Sequence, residues 1–196
     1  MRSARCRWNW NWWTPTAVLS TACHALAAAE STAPRGAGAV ASPAPLLVFS
    51  YGNPSRGDDA LGPLFVERAS ALPFVMAAPH WVEFLTDFQL QVEHALDLAG
   101  REAVVFVDAS INCRAPFEFA TVIAARDASF SSHMLSPAAL LQAFVDVMGS
   151  SPPDCYVLGI RGFEFELGQP LSAAAQSHLS AALDFFAAWL EQRQHP

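Results

Sequence analysis

One stretch, Tyr51-Gly-Asn-Pro-Ser-Arg-Gly-Asp-Asp-Ala-Leu-Gly-Pro63, constrains this 196-residue chain more than any other. The apolar run Leu46-Leu47-Val48-Phe49 leads into it, and a helical apolar pattern follows it at Leu61, Leu64, Phe65, Ala69 and Leu72. A buried strand, a tight polar loop and an amphipathic helix are therefore expected in succession. Two adjacent carboxylates, Asp58 and Asp59, fall at the helix entrance. In an open α/β sheet, ligands bind there, outside the carboxyl ends of the strands.

The same alternation continues downstream. The spacing predicts strands at Leu46–Ser50, His80–Leu85, Ala103–Val107, Phe119–Ala124 and Cys155–Ile160. Ala103-Val-Val-Phe-Val107 is apolar throughout, as in a strand buried on both faces. Helices are expected over about Ala60–Leu72, with Pro63 in its first turn, and over Phe88–Leu98, with Leu90, His94 and Leu98 on one face. A third runs from Ser136-Pro137 to Met148 with Gly149 as its stop, and a last one is capped by Ser172 and runs to about Gln192. Strands alternating with helices imply a twisted, mostly parallel five-stranded sheet between two helical layers, a three-layer α/β fold. The strands near residues 105 and 121 lack an intervening helix and are expected to pair antiparallel.

Residues 1–45 have a different composition, and the folded domain is expected at 46–196. Three arginines lie within Met1–Arg7, four tryptophans within Trp8–Trp13, and Ala, Gly, Pro and Ser dominate from Ser31 to Pro45. A basic start, an apolar middle and small residues follow the order of a secretory signal. Pro15 and Ser20-Thr21 break the apolar run, which falls short of the roughly 20 residues needed to span a bilayer. The preferred reading is a disordered extension or sequence upstream of the true start. All eleven basic residues are Arg, set against 18 acidic ones, for a net charge of −7. That balance argues against a phosphate footprint for nucleic acid. Cys6, Cys23, Cys113 and Cys155 form no C-x-x-C pair and read as small hydrophobes rather than a disulfide framework.

Chemistry is sought at strand ends. Asp58 and Asp59 follow the first strand, Asp108 ends the third, and His133 lies in the polar loop after the fourth. Two carboxylates and an imidazole converging on one sheet edge would suit a borderline divalent ion such as nickel, zinc or cobalt. Three protein ligands leave a coordination position open. Plain structural roles stand beside this reading: Asp58 as the cap of the first helix, Asp108 as a loop residue, His133 as a loop histidine. Glu93-His94 is expected to make core and surface contacts. No Gly-x-Ser-x-Gly elbow, His-Glu-x-x-His zinc signature or phosphate-binding loop is present.

At these residues the chain resembles the hydrogenase maturation proteases, over about Leu46 to Leu190. The resemblance is carried by Gly52-Asn53 with Gly57-Asp58-Asp59 and Gly62-Pro63, by Val107-Asp108-Ala109, by Ser132-His133 with Leu135-Ser-Pro137, and by Val157-Leu-Gly-Ile160. Phe88-Gln-Leu-Gln91 with Glu93-His-Ala-Leu-Asp97 is similar to the subgroup serving NAD-reducing, bidirectional hydrogenases. The resemblance implies a phosphorylase/hydrolase-like α/β fold. It also implies a metal-assisted, aspartic-type endopeptidase whose metal-binding and catalytic set is Asp59, Asp108 and His133. Its partner would be a [NiFe] hydrogenase large-subunit precursor that carries the nickel, so that no tightly resident metal is expected. It would act in the cytoplasm, without nucleic acid or membrane. Where the family commonly has Gly after the second acid, this chain has Ala60-Leu61, which favours an earlier helix start. A nickel-checking assembly factor that does not cut, and an unrelated metal-dependent amidohydrolase or aminopeptidase, are the alternatives.

Overall fold

The computed structural model describes residues 42–126 and 135–194. All belong to Val40–Pro196, the second of the two compact units into which the chain divides. The proposed extension therefore lies almost wholly outside the described residues, as does His133. The backbone is already engaged just ahead of the first strand. The Pro45 carbonyl accepts from the N–H groups of Glu102 and Ala103, and the Ala44 carbonyl accepts from Arg101.

Five strands form one sheet: β1 (Leu46–Tyr51), β2 (Val82–Asp87), β3 (Ala103–Ser110), β4 (Phe117–Thr121) and β5 (Asp154–Arg161), in the order β2-β1-β3-β5-β4. The first four in that order are parallel, and β4 runs antiparallel to β5 at the edge. The expected pairing of the third and fourth strands is corrected: β5 lies between them. The reason is burial. β5 is apolar enough to need neighbours on both sides, whereas β4, with Glu118, Ala120 and Thr121 exposed, suits an edge.

Helices α1 (Leu61–Ser70), α2 (Pro73–Ala77) and α4 (Ala173–Gln194) accompany one face of the sheet, and α3 (Pro137–Met148) the other. On the first face Val105, Val107, Leu158 and Ile160 pack against Phe65, Leu179 and Phe186. On the second, Leu47, Phe49, Val104 and Phe106 pack against Leu140, Leu141, Phe144 and Leu98. The first helix ends earlier than expected, because Leu72 is extended ahead of Pro73, which opens α2. β2 lies two residues later than predicted, His80 and Trp81 being part of a turn.

The stretch expected to be a helix over Phe88–Leu98 is a 3-10 helix over Val92–Leu98. The predicted face is nonetheless the inward one: Leu90 and Leu98 are buried and His94 is partly so. Ser136 caps α3 by accepting from the Ala139 N–H at 3.2 Å, and Gly149 ends it with φ 64°, both as predicted. Ser172 likewise accepts from the Ala175 N–H at 3.1 Å and caps α4.

Candidate active site

β1 lies between β2 and β3, so the chain leaves β1 toward one neighbour through α1 and later returns to the other across the opposite face. The carboxyl ends of β1 and β3 thus flank a topological switch point, where connections diverge and leave a crevice. α1 enters that crevice closely. A Cβ at Gly62 would stand 2.5 Å from the Tyr51 carbonyl oxygen and 3.1 Å from that of Val107. Only a residue without a side chain lets the helix start against both strand ends.

Strand register places one row of residues across the whole sheet at this end. Asp87 pairs with Tyr51, Asp108 lies beside Tyr51 one step past the Ser50–Val107 pair, and Gly159 pairs with both Asp108 and Glu118. All share the face of Phe49 and Phe106, because side chains alternate along each strand. Three carboxylates therefore stand in one line, separated by a tyrosine and a glycine. Beyond Asp108 the floor is made of small groups. Ala109, Ser110, Cys113 and Gly159 border a cleft of about 220 Å³ with Asp108 on one side and Glu118 on the other.

Asp59 reaches the site from the 3-10 turn Gly57–Ala60, which runs directly into α1. Its Oδ2 accepts the Asn53 N–H at 3.1 Å, and Asn53 in turn accepts from the Ser55 N–H at 2.9 Å. Gly52 makes room: at φ 141°, a side chain there would overlap the Asp59 carbonyl. Asp59 lies close enough for its charge to be felt at Asp108. Burial and that neighbouring charge push the Asp108 carboxyl up to about 7, although the Ala109 N–H and the Tyr51 hydroxyl donate to it and act the other way. Tyr51, itself buried, has its phenol raised well above the ordinary range by desolvation and by Asp108.

Asp58 has a different task from the one expected. It caps no helix of its own. Fully buried, it accepts from Phe163 N–H at 2.8 Å, Glu164 N–H at 3.1 Å, Ser172 N–H at 2.8 Å and the Ser172 hydroxyl at 2.9 Å. Burial alone would raise its pKa, but these four donors together hold it below the ordinary carboxylate value. The cap position before the turn is Arg56, whose side chain makes no capping bond. Asp58 points instead into the loop between β5 and α4.

His94 and Asp87 pair at the end of β2. The His94 Nε2 stands 3.3 Å from Asp87 Oδ2, and its Nδ1 accepts the Gln91 N–H at 3.0 Å. With Nδ1 an acceptor, the ring proton belongs on Nε2, and neither nitrogen is left to act as a base. The pair fixes the 92–98 segment to the sheet. Sequence reasoning missed Asp87 because β2 was placed two residues early, which hid its position at a strand end.

Of the three predicted site residues, Asp59 and Asp108 come together, and His133 lies outside the described residues. No group of three His, Cys, Asp or Glu able to hold a metal occurs among the described residues. Cys113 is partly buried and Cys155 buried, both as free thiols. No helix among the described residues is long and apolar enough to cross a membrane.

No family model matches the chain, and no curated protein matches it. Solved structures do. The hydrogenase maturating endopeptidase HybD from E. coli superposes with a TM-score of 0.57 at 22% identity, over 76% of this chain and 93% of its own. The [NiFe] hydrogenase maturation protease HycI from Thermococcus kodakarensis KOD1 gives 0.58 at 21% identity, over 77% and 95%. The hydrogenase 2 maturation peptidase from Thaumarchaeota archaeon SCGC_AB-539-E09 gives 0.53 at 22%, over 74% and 97%. The chain shares the fold of these proteins: a mostly parallel five-stranded α/β sheet with helices on both faces.

Proposed function

We propose that this protein is an endopeptidase that removes the C-terminal extension of a nickel-loaded [NiFe] hydrogenase large-subunit precursor in the cytoplasm. The observation that carries the reading is the juxtaposition of Asp59 and Asp108 at the switch point. It stands on a fold shared with the HybD endopeptidase and the HycI maturation protease. Two carboxylates held this close, one of them pushed up to about 7, form a site that a divalent cation relieves.

In this reading the cation arrives with the substrate. Asp59, Asp108 and His133 supply oxygen and nitrogen ligands to nickel in the precursor, a mixed set suited to that ion. Bound there, nickel would polarise the scissile carbonyl or lower the pKa of a water. Asp108, where it is not itself bound to the ion, would take up the proton released by the attacking water and pass it to the leaving amine. The Tyr51 hydroxyl and the Ala109 N–H hold the carboxylate in place for that exchange.

The test is cleavage of the cognate precursor with and without nickel inserted, read by intact mass. The expected result is loss of a C-terminal peptide from the nickel-loaded form only, with Asp108→Asn lowering kcat by at least about 100-fold. Cleavage by Asp108→Asn at the wild-type rate would remove Asp108 from the mechanism. Stable binding of the cognate precursor without any mass loss would favour the assembly factor. A stoichiometric metal retained through purification, with cleavage of small peptides, would favour the amidohydrolase or aminopeptidase.

A further inference from the structure

The loop between β5 and α4 does not behave as a slack connection. It is bonded along its length to the loop that carries the site acids. The Glu164 and Gln169 carbonyls accept from the N–H groups of Asp58 and Gly57 at 2.6 and 3.1 Å, and the Ser55 carbonyl accepts from Gly168 at 2.8 Å. The Phe165 carbonyl accepts from the Arg56 Nε at 2.8 Å, and the Asp58 carboxylate takes the N–H groups of Phe163 and Glu164. Gly57 fits so tightly beneath it that a side chain there would overlap the Glu164 carbonyl. The result is a rigid ledge, Phe163 to Gln169, one residue removed from Asp59.

What the ledge presents outward is unusual for a loop held this firmly. Phe163 is 53% and Leu167 74% exposed, while Glu164 and Glu166 are exposed between them. Phe163, Glu164, Phe165, Glu166 and Gln169 line an open hollow of about 360 Å³. No cation among the described residues forms an ion pair with either glutamate: Arg56 donates its Nε to the Phe165 carbonyl, and Arg161 stands 5.1 Å from the centre of the Phe163 ring and is bonded to the Ile111 and Cys113 carbonyls. Two exposed glutamates without an ion pair, set among Phe163, Phe165 and Leu167, match a cationic side chain flanked by apolar ones. Outward-facing apolar groups on a fixed backbone form a surface made for contact rather than for solvent.

We propose that the Phe163–Gln169 ledge is the docking surface for the large-subunit precursor. It receives a segment that presents an arginine or lysine between apolar side chains. The inference rests on the endopeptidase reading and names how that site holds its partner. Docking on the ledge sets the precursor against the same loop that carries Asp59, so that binding and alignment are one event.

The test uses the full chain and the nickel-loaded precursor. Glu164→Lys combined with Glu166→Lys reverses the rim charge while leaving every backbone bond to Asp58 in place. The expected result is a KM raised at least tenfold with kcat within twofold, and a precursor affinity that no longer weakens between 50 and 200 mM salt as the wild type's does. An unchanged KM, or a lowered kcat at unchanged KM, overturns the docking role. Should the wild type fail to cleave, the endopeptidase reading falls, but precursor affinity measured by biolayer interferometry still decides the ledge: tenfold weaker binding by the variant supports it and equal binding overturns it. If the double variant does not fold, Glu166→Gln carries the same comparison, with a threefold rise in KM or loss of affinity as the threshold.

Discussion

Asp58 and Asp59 are neighbours in sequence and opposites in environment. Asp58 is sealed among four donors and kept ionised; Asp59 faces the crevice with one backbone bond to Asn53. Asp108 is the third case, a carboxyl whose charge the fold resists. Its folded pKa of about 7 lies above its ordinary value, so the unfolded chain gives up its proton first. Stability from this group is therefore fully present below the ordinary carboxylate range and is lost as pH rises toward 7. Asp108→Asn removes the penalty. The variant is expected to be inactive yet to melt at least about 3 °C above the wild type at pH 8, the gain shrinking toward pH 4. Differential scanning fluorimetry across that range checks it, and a melting point unchanged or lowered at pH 8 would show that the burial penalty is absent. The placement of Asp59 and Asp108 beside each other was legible in the sequence because each follows or ends an apolar run that reads as a strand. The role of Asp58 was not, because its donors lie 105, 106 and 114 residues away and no local pattern encodes them.

At the scale of elements, β1, β3 and β5 were readable because a strand buried on both faces is apolar at nearly every position, and few other structures ask for that in so short a run. The caps Ser136, Gly149 and Ser172 were readable because each is a local chemical requirement. The position of β5 between β3 and β4 was not, since pairing partners are chosen by burial of the whole sheet. The 92–98 segment was read with the right face and the wrong helix. Its start is set by the Gln91–His94 bond and the Asp87–His94 pair, which tie its first turn to the end of β2. The junction of α1 with β1 and β3 is the element contact on which the site depends. Gly62→Ala forces a methyl group to within 2.5 Å of the Tyr51 carbonyl oxygen. A loss of about 1–3 kcal/mol is expected in urea unfolding. A neutral effect would mean that α1 can slide away from the strand ends, and with it Asp59.

For the whole molecule, the proposed function has two carboxylates at the crevice and a cation supplied by the partner, so that metal and substrate would arrive together. Purified protein is expected to contain well below one equivalent of nickel or zinc by inductively coupled plasma mass spectrometry, and a retained stoichiometric ion would contradict that arrangement. The sheet order locates the crevice, and the ledge extends it toward the partner. Fold class was legible from the alternation of strand and helix patterns; the ledge was not, because Phe-Glu-Phe-Glu-Leu between residues 163 and 167 reads equally well as a half-buried strand. Only the ties to Asp58 and Arg56 make it a platform.

Those ties also set an order of events during synthesis. Two of the four donors to Asp58 come from Ser172, which at the same time starts α4, the longest helix described. Until residue 172 and the turns after it are in place, the carboxylate beside Asp59 lacks half its partners. A nascent chain that already holds Asp58, Asp59 and Asp108 still lacks the two Ser172 bonds. The loop that carries Asp58 and Asp59 thus takes its full set of bonds only when a residue more than a hundred positions downstream joins it, and a fragment that stops before residue 172 is expected to leave the Asp58 carboxylate half satisfied.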